Sequence, residues 1–146
     1  ETAELQANAK DFVGPSFKKN AISLFGMELN QGHMEYCHCY DWDTFEYKVL
    51  GEKLAMIDSL SNVSDEYGNS FLYNILALLR NSAAANINLA RLAYTLARRE
   101  PPQTAPDTIK KTYRKFSSSI YQWALDQEDR RQLITALIIY IYLRRE

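Results

Sequence analysis

Residues 129–145 read DRRQLITALIIYIYLRR. Eight consecutive apolar residues, 136–143, follow Leu133 and Ile134, and a helix that is apolar around its whole circumference must be covered on every side. A membrane span fails on length: it needs roughly 20 apolar residues, and this run is interrupted by Thr135 and fenced by Arg130, Arg131, Arg144 and Arg145. The stretch is therefore predicted to be the axis of a helical bundle, with the rest of the chain as its cover.

Upstream of it the punctuation is helical. Residues 70–80 carry Phe71, Leu72, Ile75, Leu76, Leu78 and Leu79, a stripe wide enough for two neighbours. Residues 86–99, NINLARLAYTLARR, repeat Ile87, Ala90, Tyr94 and Ala97 beside Leu89, Leu92, Ala93 and Leu96, ending at Pro101 and Pro102. Thr104 and Asp107 frame the next start, with Pro106 expected in the first turn. Ile109, Tyr113, Phe116, Ile120 and Trp123 then form a narrow seam, and Asp126 opens the last helix. About five helices on short connections predict an antiparallel bundle.

The first part of the chain is different in kind. Residues 2–12 suggest a short helix stopped by Gly14 and Pro15, residues 20–26 a buried strand, and residues 34–40 its hairpin partner across a loop containing Asn30, Gln31 and Gly32. The helix that follows is expected to begin with Asp43 as cap, Glu46 completing a capping box, and Trp42 with Tyr47 as hydrophobic staple. Phe45, Val49, Leu50, Leu54, Ile57 and Leu60 would form its apolar face. The polar break at residues 61–69 is the expected domain boundary. The fold class is thus mainly α, a C-terminal bundle behind a truncated α+β portion with a short two-stranded sheet.

The 146 residues suit one ordinary domain or a small domain with an appendage, and 47% apolar with 24% charged residues is a globular mix. Cys37 and Cys39 are too close together to cross-link distant segments, so a cytoplasmic protein is expected. The chain opens ETAELQANAK without a methionine, as though inside a helix, and is expected to be a piece of something longer. The net charge of −1 conceals a division: residues 1–67 hold 5 basic and 12 acidic side chains, net −7, and residues 68–146 hold 12 basic and 6 acidic, net +6. Such asymmetry points to separate partners.

Four groups could carry chemistry. Lys110, Lys111, Arg114 and Lys115 lie on the side of their helix away from the apolar seam, and Arg91, Arg98 and Arg99 make a second stripe; together they suit a phosphate backbone or an acidic partner, against the plainer reading of a solvated helix face. His33, Cys37, His38 and Cys39 include soft metal ligands, but on a strand Cys37 and Cys39 face one way and His38 the other. Asp41, Asp43 and Glu46 could hold magnesium, though a helix cap already accounts for two of them. Tyr94, Tyr113, Tyr121, Tyr140 and Tyr142 could stack bases, but their spacing beside leucines and isoleucines predicts core or core rim. There is no phosphate-cradling glycine loop and no nucleophile–histidine pair at a useful spacing.

In this order, KNAISLFG (19–26), WDTFEYKVLGEKL (42–54), NSFLYNILALLR (69–80), NLARLAYTLARREP (88–101) and DRRQLITALIIYIYLRR (129–145) resemble the C-terminal end of the large subunit of type III-A CRISPR effector complexes, the Cas ten family of Csm type. The resemblance implies that residues 1–62 are the end of a cyclase-like, ferredoxin-like palm domain and residues 63–146 a helical domain similar to the complex's small subunit. In that family the palm makes cyclic oligoadenylates from ATP with magnesium or manganese through a GGDD motif, and an HD domain is associated with single-stranded DNA cleavage. This sequence contains neither a GG nor an HD pair, so no catalytic, cofactor or metal residue carries over. What does carry over is contact with other Csm subunits, especially the small one, and proximity to guide and target RNA, with no membrane involved. The alternatives are a metal-dependent nucleotidyl-transfer enzyme built on His38, Asp41 and Asp43, and a purely protein-binding helical adaptor.

Overall fold

A computed structural model describes the backbone at residues 21–23, 29–30, 33–34, 39–80 and 85–144, and side chains at 40–80 and 88–144. The helix expected at residues 2–12 lies outside these, as does most of the MEYCHCY run. The chain is mainly helical and divides into two compact units, residues 1–52 and 53–146.

In the first unit, β1 (Ala21–Ser23) pairs antiparallel with β4 (Cys39–Asp41), with Ile22 opposite Tyr40. Strand β2 (Leu29–Asn30) pairs with β3 (His33–Met34), Asn30 opposite His33, leaving Gln31 and Gly32 between them. Asn30, expected in the loop, is a ladder residue. Helix α1 (Trp42–Thr44) follows β4 directly. Its cap is Asp41, not Asp43: Asp41 is extended, at φ −69° and ψ 158°, and its Oδ1 accepts the Thr44 amide at 2.8 Å. The helix therefore starts before Asp43 can cap it, and the capping box with Glu46 does not form. Nor does the staple: Trp42 meets Phe45 edge-on at 6.2 Å, and Tyr47 is exposed. Asp41→Ala is expected to cost about 0.5–2 kcal/mol in chemical denaturation, the range for a lost cap. Asp43→Ala should shift the midpoint little, and the reverse order would return the cap to Asp43.

The chain then winds as a π-helix over Phe45–Leu54 before resuming α-helical geometry in α2 (Ala55–Val63). This changes which residues are buried. Phe45, Val49 and Lys53 are inside, four residues apart, whereas Leu50 and Leu54 are only half-buried. In an α-helix the eight residues from Phe45 to Lys53 would drift about 80° around the axis. Turns closed by i→i+5 bonds hold more residues, so steps of four return close to the same side. Gly51 suits the wide turn: a Cβ there would stand 3.1 Å from the Glu46 carbonyl oxygen, five residues back.

The second unit contains α2, α3 (Asn69–Arg80), α4 (Ala85–Arg98), α5 (Asp107–Leu125) and α6 (Gln127–Leu143). Helix α2 buries Ile57 and Leu60 and packs with α5 and α6. Helices α5 and α6 form the central pair, with α3 against α6 and α4 bridging α3 and α5. Pro106 occupies the cap position of α5 instead of its first turn. Asp126 caps α6, accepting the Asp129 amide at 2.9 Å, and the Arg130 Nε donates to the Ala124 carbonyl at the end of α5.

Helix α6 is not covered all round. Leu133, Ala136, Leu137, Tyr140 and Ile141 are buried, Ile134, Ile138 and Ile139 half-buried, and Tyr142 is 66% exposed. Among the described residues its main packing neighbours are α5, α3 and α2. Helix α4 also departs from expectation. Asn88, Leu92 and Leu96 face inward while Ala90, Ala93, Tyr94 and Ala97 are exposed, because α4 lies at the margin of the bundle and needs only one narrow buried face.

Candidate nucleic-acid interface

A helix end leaves its last carbonyls without intrahelical partners; at the end of α4 the Arg99 and Glu100 amides donate to the Thr95 and Ala97 carbonyls, and two tyrosines supply further donors. The Tyr113 hydroxyl donates to the Leu96 carbonyl and the Tyr67 hydroxyl to the Arg99 carbonyl at 2.8 Å, while the two rings stack at 4.9 Å. Burial raises the pKa of both phenols, with Tyr67 adding to the shift of Tyr113. A phenol whose folded pKa lies above its ordinary value of 10.0 contributes stability that is whole below that pH and is lost as pH rises past it. Tyr113→Phe should therefore unfold less steeply with pH above about 10, while costing about 1–3 kcal/mol at neutral pH for the Leu96 carbonyl left unpaired. An unchanged alkaline limb in denaturation curves would remove Tyr113 from this role.

Arg99 closes the same corner. Its Nη2 donates to the Glu66 carbonyl at 2.8 Å, and its guanidinium stands 5.1 Å from the Phe71 ring centre and 5.9 Å from that of Tyr67. The residue expected in an outward stripe thus ties the end of α4 to the start of α3. Beside it, Arg91, Tyr94 and Arg98 follow at spacings of three and four on the exposed face of α4. Tyr94 is 65% exposed, contrary to its expected place in the core or its rim. Between α3 and α4 a cleft of about 300 Å³ is lined by Phe71, Asn74, Tyr94, Thr95, Arg98 and Arg99.

On α5, Tyr113, Phe116, Ile120 and Ala124 are buried, and Lys111, Arg114 and Lys115 are exposed on the other side. Lys110 is engaged within the chain, with its Nζ 3.3 Å from Asp107 and donating to the Gln103 carbonyl at 3.0 Å. Arg91, Arg98, Lys111, Arg114 and Lys115 have no acidic partner among the described residues. The outward phase of the basic residues is legible from the seam; the engagement of Lys110 and Arg99 depends on loop conformation that periodicity does not carry.

Sequence periodicity also misses the most buried cation. Lys53 has no exposed surface; its Nζ donates to Gln132 Oε1 at 2.8 Å and to Asp129 Oδ1 at 3.1 Å and lies 4.9 Å from the centre of the Trp123 ring. The other candidate groups fare differently. Asp41 is occupied as a cap and Asp43 and Glu46 are exposed, and no cluster of three metal-ligating side chains occurs among the described residues. The side chains of His33, Cys37, His38 and Cys39 lie outside the described residues. No helix among those described is long and apolar enough to cross a membrane.

Residues 57–146, which run from within α2 to the end of the chain, match the family described as the CRISPR RNA silencing complex Cmr2 subunit, second helical domain. Across almost the whole chain there is 31% identity over 144 residues to a CRISPR system single-strand-specific deoxyribonuclease Cas10/Csm1 (subtype III-A) of Streptococcus thermophilus. The chain belongs to the Cas10/Csm1 family. Proteins of the same description in Mycobacterium tuberculosis and Enterococcus italicus are 33% identical over 148 residues and 35% identical over 107. The chain covers 97%, 100% and 73% of its own length in these three matches, but only 17%, 16% and 12% of the relatives. It thus corresponds to about one sixth or less of a Cas10/Csm1 protein. Every basic residue singled out on α4 and α5 falls inside the matched Cmr2 helical domain.

Proposed function

We propose that this chain is the non-catalytic C-terminal part of the large subunit of a type III-A CRISPR antiviral complex, and that its bundle serves subunit assembly and presents a surface to RNA. The observation that carries the RNA reading is the set of five exposed cations on α4 and α5, Arg91, Arg98, Lys111, Arg114 and Lys115, unpaired among the described residues in a half of the chain with net charge +6. Such a face meets phosphates without reading bases, which suits a complex in which base pairing carries the sequence information. The small subunit and the guide and target RNA are the proposed partners. Residues 1–62 would be the end of a palm domain and residues 63–146 the small-subunit-like domain.

The full-length parent would make cyclic oligoadenylates from ATP with magnesium or manganese and cleave single-stranded DNA. The described carboxylates of this chain do not fit such a metal centre, since Asp41 is a helix cap and no three potential ligands converge. No chemical step is assigned to them. Turnover of ATP by the chain in magnesium or manganese would defeat the non-catalytic reading. RNA affinity measured across salt concentrations should fall with a log–log slope of about −2 to −4, as expected for three to five phosphate contacts. Lys111→Gln, Arg114→Gln and Lys115→Gln together should flatten it by about two. A salt-independent affinity would leave a protein-binding bundle instead.

A further inference from the structure

We infer that the cleft between α3 and α4 receives one unpaired nucleotide of a single RNA strand, its base against Tyr94 and its phosphate at Arg98. This deepens the RNA reading above and rests on it. Tyr94 is a large aromatic ring standing free on a helix surface, at the rim of a cleft whose volume of about 300 Å³ is at the scale of a small-ligand site. Among the described residues no aromatic ring packs on it, and an exposed ring flanked one turn either way by Arg91 and Arg98 is the arrangement by which single strands are held: stacking for the base and cations for the backbone.

The cleft is also set in advance. Phe71, fully buried, lies at its wall, and Arg99 is fixed across that ring by its bond to the Glu66 carbonyl, so its positive charge stands at the site without needing to be ordered on binding. Arg98 has no partner among the described residues and can turn to a phosphate. Asn74, exposed on α3, offers an amide donor and acceptor to the base edge. Two carboxylates lie in the vicinity: Glu66 and Glu100 both act on Tyr67, opposed there by Arg99. They set the limit of the positive region on that side and leave the Tyr94–Arg98 rim as the entry. Duplex RNA keeps its bases stacked inside and cannot present one to this ring.

The test is fluorescence anisotropy on the full chain at low salt, with an octa-adenylate RNA, an abasic ribose-phosphate strand of equal length, and an RNA duplex. The wild-type chain should prefer the octa-adenylate. Tyr94→Ala, a surface change that leaves the core untouched, should weaken octa-adenylate binding roughly tenfold, the scale of one base–aromatic stack, and leave the abasic strand unaffected. Tyr94→Phe should restore the affinity. Arg98→Gln should weaken both single strands and reduce the salt slope by about 0.7. The inference is overturned if Tyr94→Ala is silent, or weakens both single strands equally, while Lys111→Gln, Arg114→Gln and Lys115→Gln still abolish binding; that pattern keeps an RNA face and removes the cleft. Failure of the wild-type chain to bind either single strand would instead defeat the RNA reading itself.

Discussion

Asp129→Ala combined with Gln132→Leu is expected to destabilise the bundle by about 3–5 kcal/mol, and Lys53→Met to be neutral or stabilising. The asymmetry follows from where each group sits. Lys53 is wholly inside, and its Nζ depends on the Gln132 and Asp129 oxygens at 2.8 and 3.1 Å and on the face of Trp123. Removing both oxygens takes two hydrogen-bond acceptors from an ammonium that has no exposed surface. Removing the ammonium costs much less, because the Asp129 side chain is 38% exposed and can be hydrated, and Gln132 Nε2 still donates to Glu128 Oε1 at 3.2 Å. Methionine fills nearly the volume of the lysine stem and brings no charge. Thermal unfolding followed by circular dichroism should show the double variant lower by roughly 10 °C. A double variant that melts with the wild type, or a Lys53→Met chain that falls further than it, would show that the pair is not what holds the cation.

Leu137→Ala should cost about 2–5 kcal/mol, since a fully buried leucine leaves a cavity that its neighbours fill only in part. Five residues later in the same helix, Tyr142→Ser should move stability by no more than about 0.5 kcal/mol, as its ring is mostly in solvent. Both lie in one run of eight residues counted as apolar, 136–143, so membership of the run does not distinguish them. Denaturant titration of the two variants separates a helix covered in part from one covered on all sides. Equal losses would restore the all-round burial expected of residues 136–143.

The same contrast explains how far the fold is legible in the sequence. Helix positions are readable where punctuation is chemical: Asp126 caps α6 because a short carboxylate can reach an amide three residues on, and Pro101 and Pro102 stop α4 because proline cannot continue it. Which side of a helix is buried is less readable when several sides are apolar. For α4, alanines and a tyrosine made the wrong stripe look continuous, and only the number of packing neighbours decides in favour of Asn88, Leu92 and Leu96. On α5 the seam is narrow, and so the outward phase of Lys111, Arg114 and Lys115 follows from spacing alone. The cleft beside Tyr94 joins residues twenty positions apart through a loop that fastens Arg99, and no periodicity within either helix announces it.

The wide winding of Phe45–Leu54 has one more consequence, for how this segment tolerates changes of length. An ordinary helix that loses a residue turns everything beyond the gap by about 100° and misplaces its inward face. Here the helix already carries surplus residues per turn. Deleting one position between Val49 and Lys53 would leave a spacing of three, which suits tighter α winding, so the lysine could keep its bearing toward Asp129 and Gln132. Gly51, the residue whose missing Cβ leaves room near the Glu46 carbonyl, is the natural one to omit. The segment works as slack in the chain, a place where an insertion or a deletion is absorbed by winding before it reaches the bundle.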